Sequence, residues 1–382
     1  MSFCITGEPA LEKKIVNDLH RIEQAILSVM GQQAVSIILT GGYGRGEGGI
    51  VWKDGNCFPV NDYDLVVVTK NMSLPMFLRY RSKIHRLGNE LTEELGLGID
   101  LALIREKSLR SMTPNILWYE TQRGHHVVWG QVDILKELPR WESQDIPWCE
   151  GTRLLLNRGA MLLVAKSILH KSHNITQMEL QPILTAVWKA VLSWGDCVLL
   201  MNGKYDYRYK KRETMIQTLS SLNKVPHGDT LAELYSQAIH YKFFQESAER
   251  QATGIGEWLS SMIQRHEAVF QWFEEKRLGR PIANWKEYAT WVPKLPLPGS
   301  LVGRAKNVVR NVWQGGWPTM HDCVKWAMAD QQERILSSFP ILLFQPTPEG
   351  LLWCTQALGH STKDARPVSW DGLVGKFRKA WH

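Results

Sequence analysis

Three aspartates carry the chemistry this sequence can do. Asp62 and Asp64 stand two apart in Asn61-Asp62-Tyr63-Asp64, which runs straight into Leu65-Val66-Val67-Val68. Alternate residues of a strand face the same side, so both carboxylates project together while Tyr63 points away. Side by side they repel unless a cation lies between them, and magnesium is commonly held by one or two carboxylates plus substrate phosphates. A third acid, Asp100, opens the apolar run Ile99-Asp100-Leu101-Ala102-Leu103-Ile104. A lone carboxylate in such a run is costly to bury without a metal or partner. If the two strands are neighbours the three acids converge, which is the arrangement two-metal phosphoryl or nucleotidyl transfer requires.

The elements that must position these acids begin with a buried apolar strand, Ser36-Ile37-Ile38-Leu39-Thr40. It leads into Gly41-Gly42-Tyr43-Gly44-Arg45-Gly46-Glu47. Glycines let a backbone approach a phosphate with its N–H groups facing the anion. Gly44, Gly46 and Gly49 also match a dinucleotide fingerprint, and Val51 extends the match to a kinase glycine loop. A dinucleotide fold needs a helix at the last glycines. Here Ile50 to Phe58 carries Asp54-Gly55 between apolar flanks, a tight-turn signal that predicts a hairpin. A kinase needs His-Arg-Asp and Asp-Phe-Gly strings, and neither occurs. A solvated glycine turn beside an acidic strand end is the bland alternative, and three acids on successive strands weigh against it.

With Gly41-Gly42 as a glycine pair, Asp62 and Asp64 as paired acids and Asp100 as the third, the chain resembles the polymerase-β-like nucleotidyltransferase superfamily. The wording Gly-Gly-Tyr-Gly-Arg-Gly-Glu is most similar to the bacterial branch that uridylylates a signalling protein. The stretch from Tyr43 to Asn61 is longer than that branch usually shows, and the hairpin accounts for the surplus. The resemblance covers residues 1–140; beyond them it extends only to general layout. It implies two Mg2+ ions, with Mn2+ an acceptable substitute, bound by Asp62, Asp64 and Asp100. It also implies that Asp100 helps deprotonate the attacking hydroxyl. Gly41, Gly42, Tyr43 and Arg45 would hold the NTP.

At 382 residues the chain suggests two or three domains of the usual ~100–200 residues. A hydrophobic content of 44% and a charged content of 22% describe an ordinary globular protein. No apolar run approaches the ~20 residues of a membrane span, and Met1-Ser2-Phe3-Cys4 lacks a signal-peptide layout. The six cysteines are scattered without a C-x-x-C pair, which leads us to expect a reducing cytoplasm. A net charge of +7 favours an anionic partner, and an NTP satisfies that preference.

The expected fold class is α+β: a small mixed β-sheet covered by helices, then a helical bundle, then a loop-rich helical C-terminal region. Leu11–Met30 reads as an amphipathic helix stopped at Gly31, and Pro75–Leu95 as a second one stopped at Gly96. Asn115–Gln122 reads as a short helix. His125–Gly130 reads as a strand whose two histidines point to opposite faces and make poor joint metal ligands. Pro139–Glu150 reads as a linker. Long helices are expected over Leu154–His170, Leu180–Asn202, Thr230–Glu249 and Ile255–Arg277. The domain expectation is 1–138, 151–277 and 278–382.

Lys189 and Asp196 are two helical turns apart and so share one face of an apolar helix. Lys204-Tyr205-Asp206-Tyr207-Arg208-Tyr209-Lys210-Lys211-Arg212 interleaves bases with tyrosines. Lys189, Asp196 and Tyr205 are therefore candidate nucleotide-binding residues, the tract gripping phosphate and stacking a base. A surface Lys–Asp pair and a solvated basic loop are the bland readings. Further on, helices are expected over 301–313 and 319–339, with most tryptophans in the core.

The function expected is transfer of an NMP from an NTP to an acceptor hydroxyl with release of pyrophosphate. A protein side chain or an RNA end is favoured as acceptor over a cationic small molecule, because an antibiotic pocket should be rich in extra acids. The competing readings are a non-catalytic nucleotide sensor and a sugar or antibiotic nucleotidyltransferase. No transmembrane segment is expected.

Overall fold

The computed structural model describes residues 2–53, 55–172, 175–245, 254–291, 331–358 and 369–381. Its fold is α+β, as expected. Close contacts divide the chain into two compact units. The first comprises Met1–Glu150, Val198–Ser220 and Ala232–Ser247; the second comprises Gly151–Cys197, Ser221–Leu231 and Ala248–His382. This differs from the expected succession 1–138, 151–277 and 278–382, because two later segments return to the first unit.

The first unit is built on α1 (Pro9–Met30), β1 (Ala34–Leu39), the single turn α2 (Gly41–Gly44), β2 (Ile50–Lys53), β3 (Asn56–Pro59), β4 (Tyr63–Thr69) and α3 (Leu74–Leu95). It continues through β5 (Ile99–Arg105), α4 (Glu106–Leu109), α5 (Ile116–Arg123) and β6 (His126–Gly130). The sheet order is β5-β4-β1-β6. β4 and β5 run parallel, and β1 is antiparallel to both β4 and β6. The central strands read as unbroken apolar runs because both faces are covered. Ile37, Leu39, Leu65 and Val67 pack with Leu11, Ile15, Leu19, Ile22 and Ile26 of α1. Ile38, Val66 and Val68 pack on the other face with Leu109, Trp118, Ile134 and Leu135. Each such buried aliphatic side chain contributes about 1.5–3 kcal/mol. α5 is capped by Asn115, whose side-chain oxygen accepts from the Trp118 N–H at 2.8 Å; the capped end is a standard helix start.

The expected hairpin is present. β2 and β3 pair from Ile50↔Pro59 to Lys53↔Asn56, and its root is bridged by Phe244, which pairs with Ile50. The stretch expected as a linker over Pro139–Glu150 holds a short 3-10 helix (Ser143–Asp145) and runs into α6 at Cys149, and it is not a free one: Trp141 and Ile146 are buried.

Further helices are α6 (Cys149–Lys171), α7 (Gln177–Met201), α8 (Tyr209–Gln217), α9 (Gly228–Phe243), α10 (Ile255–Leu278) and α11 (Trp285–Trp291). Beyond them come α12 (Gln331–Phe344), α13 (Pro348–Ala357) and α14 (Trp370–Trp381). The helix expected over 301–313 lies outside the described residues, and that over 319–339 is described only from Gln331. α7 is long and apolar enough to cross a membrane, which the sequence reading did not register; it is largely buried within the protein, as the core helix of a globular fold is.

Polar groups buried in the second unit are tied to one another. Glu274 accepts from Tyr288 OH at 2.7 Å and from Arg277 Nε at 2.8 Å. His266 accepts the Trp194 indole N–H at Nδ1, 2.8 Å away. Burial pushes the His266 pKa down to about 3, far below its unfolded value of about 6.5. A histidine held neutral in the folded state stabilises fully above pH 6.5 and loses that stability as pH falls. We therefore expect about 2 kcal/mol to be lost between pH 6.5 and 5 at this site. Thermal unfolding of His266→Gln, which keeps an acceptor for Trp194, should show a flatter dependence over that interval.

Candidate active site

Strand pairing brings the three aspartates to one place. In the parallel β4–β5 ladder Asp64 stands directly across from Asp100, and Asp62 precedes β4 by one residue. All three have the parity of Val66 and Val68, so they lie on the face covered by α5. They occupy the end of the sheet where β1 stops and β4 and β5 begin. The glycine turn is pinned there by Thr40, whose N–H and Oγ1 both donate to the Asp64 carbonyl, at 2.8 and 3.1 Å.

Each of the paired carboxylates rests against a glycine. Gly41 has φ +63°, and a Cβ there would lie 2.3 Å from Asp64 Oδ2. A Cβ at Gly98 would lie 2.4 Å from Asp62 Oδ1. Gly98, two residues beyond the helix stop at Gly96, makes room for Asp62 with its bare backbone. Gly42 is tightly placed too: a Cβ would come within 3.2 Å of the Glu47 carbonyl oxygen.

Asp64 is half-buried, whereas Asp62 and Asp100 are exposed. Among the described residues none of the three carboxylates accepts a hydrogen bond. Burial, followed by repulsion from Asp62 and Asp100, raises the Asp64 pKa to about 6, and Lys242 and Arg45 offset part of the rise. The cluster thus carries more negative charge than its surroundings neutralise, and a cation would relieve it. The side chains do not form a ready cage: among the described residues no three His, Cys, Asp or Glu groups gather around one point that would hold a metal ion. The donor set suits magnesium in type and charge. It lacks the closed geometry of a preformed site, which is compatible with an ion that arrives carrying substrate phosphate oxygens.

Beside the carboxylates lies a buried ionic network that corrects several expectations. The Arg45 guanidinium, expected to face phosphate, has a side chain only 4% exposed and donates to Glu120 at 2.9 Å. Its Nε is 3.8 Å from Glu47. Glu120 also accepts from Arg212 at 2.8 Å and from Tyr205 OH at 2.6 Å. Burial pushes the Glu120 pKa up, but Arg45 and Arg212 together outweigh it and hold the group below its usual range. Tyr205, expected to stack a base, is therefore buried and committed to Glu120. The Tyr209 ring faces Arg212 at 3.9 Å, Lys242 at 4.7 Å and Arg45 at 5.8 Å, and its N–H donates to Glu47 at 3.1 Å. Of the tract's outer bases, Arg208 and Lys211 turn to Asp206, with Lys211 2.6 Å away.

Tyr43 is likewise in the core and not open to a ligand. Its OH donates to the Gly49 carbonyl at 2.9 Å and accepts from the Val60 N–H at 3.0 Å, tying the glycine turn to the hairpin root. Lys189 and Asp196 fall on α7 within the second unit, Asp196 buried and Lys189 half-buried; both are engaged by other groups. His125 and His126 are half-buried, and burial lowers the pKa of each.

Glu120 and Lys242 were missed, and Arg212 was legible only as the last base of the tyrosine tract. Glu120 falls inside the expected helix over Asn115–Gln122 and Lys242 is far along the chain, so no local spacing marks either. Glu47 was legible only as the last residue of the glycine string.

The Asp64 shift has a stability consequence. Its folded pKa of about 6 lies above the reference 3.8, so the folded state binds the proton more tightly and stability falls as pH rises from 4 through 6. The full penalty above pH 6 is at most about 3 kcal/mol before solvent screening reduces it. Without added metal, Asp64→Asn should therefore melt higher than the parent at pH 8 and equal to it at pH 4, as read by calorimetry. Magnesium added together with an NTP should raise the melting temperature of the parent at pH 8 and that of the variant much less.

No protein-family model matches this sequence, and no curated protein sequence matches it. A solved structure with a similar chain path is that of a spectinomycin adenyltransferase from Enterococcus faecialis, determined with ATP and spectinomycin. It is 12% identical, with a TM-score of 0.38, and the match covers 66% of this chain and 99% of that one.

Proposed function

We propose that this chain transfers a nucleoside monophosphate from an NTP to an acceptor hydroxyl and releases pyrophosphate. The observation that carries the reading is the register of Asp64 with Asp100, with Asp62 two residues before Asp64 and the Gly41–Gly42 turn beside them. Three carboxylates without hydrogen-bond donors, at the edge of a glycine turn, suit charge-rich phosphoryl chemistry better than a structural role.

In this reading Asp62 and Asp64 would hold magnesium, and Asp100 faces the attacking hydroxyl. Bound magnesium supplies charge neutralisation for the attacking and leaving oxygens. The acceptor oxygen forms a bond to the α-phosphorus as the bond from that phosphorus to the bridging oxygen of the β-phosphate breaks. Asp100 takes the hydroxyl proton, and pyrophosphate leaves. Gly41 and Gly42 let the backbone approach the phosphates. Arg45 braces the turn through Glu120 and Glu47 and does not itself reach the nucleotide. Lys242 takes the phosphate-facing role instead: it is half-buried, and its charge is the first offset to the rise in Asp64. Among acceptors, a protein side chain is favoured over an RNA end, since the rings of Tyr205 and Tyr209 are covered by cations and offer no stacking platform.

A nucleotide sensor that keeps the fold is the competing reading, although the three acids such a sensor would be expected to lose are all present. Tight magnesium-dependent NTP binding with no pyrophosphate released is its signature.

The test is to incubate the protein with each α-labelled NTP, magnesium and lysate of its own host, and to separate protein, RNA and small-molecule fractions. Label should appear in the protein fraction and fall at least ~10³-fold in Asp62→Ala or Asp64→Ala, since an oriented charge in a transfer site is worth several kcal/mol. Full activity in either variant overturns the reading. Lys242→Met should raise KM for the NTP roughly tenfold, as expected for loss of one charge-assisted phosphate contact, with a smaller change in kcat.

A further inference from the structure

The end of the sheet opposite the aspartates carries a surface with no use in nucleotide transfer. α3 begins just after the C-terminal end of β4, about 20 Å from Asp64 at ~3.3 Å per strand residue. Within α3 the buried residues are Ile84, Gly88 and Leu91, so the turns from Leu74 to Lys83 bury no residue. Most helical stability in proteins comes from packing an apolar face; here Phe77 and Tyr80 are half-buried, Tyr80 against the core, while the remaining apolar side chains face solvent. Leu74 is 53% exposed, Met76 37% and Leu78 50%.

The charge here is one-sided. Lys70, Arg79, Arg81, Lys83 and Arg86 occur with no acid between Asp64 and Glu90. None of the five forms an ion pair among the described residues, although bases on α1 do: Lys14 pairs with Asp18 at 2.8 Å and Arg21 with Glu94 at 2.7 Å. The neighbouring strand end adds to the same field. Arg105 lies 5.2 Å from the Phe77 ring, and the Lys107 N–H is tied to Asn71 at 3.1 Å.

Apolar and basic groups follow one another along the helix axis. Leu74-Pro75-Met76-Phe77-Leu78 forms the tip, and Arg79-Tyr80-Arg81-Ser82-Lys83 forms the next turn and a half. Five residues of helix span about 7 Å, which fits the ~5–10 Å to which interfacial segments enter a bilayer. The bases would then stand at headgroup level, where they meet the anionic groups of the lipid. RNA would match the charge and leave Leu74, Met76 and Leu78 without a use; an acidic protein groove would call for one apolar stripe, not an apolar tip.

We propose that the first turns of α3 form a docking surface for an anionic lipid bilayer, holding the protein at the membrane with its aspartate cluster at the far end of the sheet. The proposal does not depend on the transfer reading, because it concerns residues outside that site.

The test is flotation of the full, nuclease-treated protein with vesicles of phosphatidylcholine alone and of phosphatidylcholine mixed with phosphatidylglycerol. The protein should float with the anionic vesicles and not with the neutral ones, and less so as salt is raised. Each surface base is worth about 1 kcal/mol near an anionic leaflet, so the double variant Arg79→Glu, Arg81→Glu should bind at least ~10-fold more weakly. Leu74→Ser with Leu78→Ser should also lose roughly tenfold. Both variants should retain the parent melting temperature and NTP binding. No flotation with anionic vesicles, or equal flotation by both variants, overturns the proposal. So does binding to RNA that charge reversal abolishes and the serine substitutions leave intact.

Discussion

Repulsion among three carboxylates at one edge of the sheet is the constraint to which the rest of the first unit answers. Asp64 stands across the parallel ladder from Asp100, and burial, followed by repulsion from Asp62 and Asp100, raises its pKa to about 6. A fold selected only for stability would not keep such a group half-buried without hydrogen-bond donors. The surroundings hold it in place without neutralising it. Gly41 and Gly98 withhold their side chains so that the two paired carboxylates fit, and Thr40 fastens the Asp64 carbonyl to the glycine turn. Strain of this kind is kept where binding of a cation and an anionic substrate can release it.

The ionic network beside the acids shows how the turn is kept rigid. A buried charge is costly unless paired, and Glu120 is paired three times, by Arg45, Arg212 and Tyr205. The consequence for chemistry is a division of labour among the cations. Arg45 and Arg212 are spent on buried carboxylates and aromatic rings. Lys242 also lies over the Tyr209 ring, but it keeps a share of solvent and acts on Asp64, although it enters from a segment far along the chain. The hairpin contributes to that placement: Ile50 bridges to Phe244, and the main chain of Lys242 lies so close to Gly49 that a Cβ there would be 2.4 Å from its carbonyl oxygen. The insertion that lengthens the stretch between glycine turn and first aspartate is thus the seat on which the Lys242 segment rests.

The two ends of the sheet are specialised in opposite senses. Acids and glycines gather where β1 ends and β4 and β5 begin. Unpaired bases and exposed aliphatic side chains gather where β4 leads into α3. A net charge of +7 over the whole chain says little about partners; within the first unit, the aspartates with their neighbouring cations stand at one end of the sheet and the bases of α3 at the other.

Local chemistry alone marked the strands, the hairpin and the glycine turn, and singled out the three acids as candidates. Period-two and period-3.6 patterns, Asp-Gly turns and helix-stopping glycines act over a few residues, so the sequence displays them directly. The neighbour relation of β4 and β5, on which the convergence of Asp64 with Asp100 depends, was a condition the sequence could state but not decide. Tertiary structure also decided which charges are spent and which remain. Arg45, Tyr43 and Tyr205 have the residue types of ligand contacts, yet burial and the partners Glu120 and Gly49 commit them inward. Glu120 and Lys242 carry no local signal, because a buried ion pair or a distant lysine is defined by what the fold brings to it. Residue type and short spacing fix what a side chain can do; only the packing of distant segments determines whether it faces a core partner or a substrate.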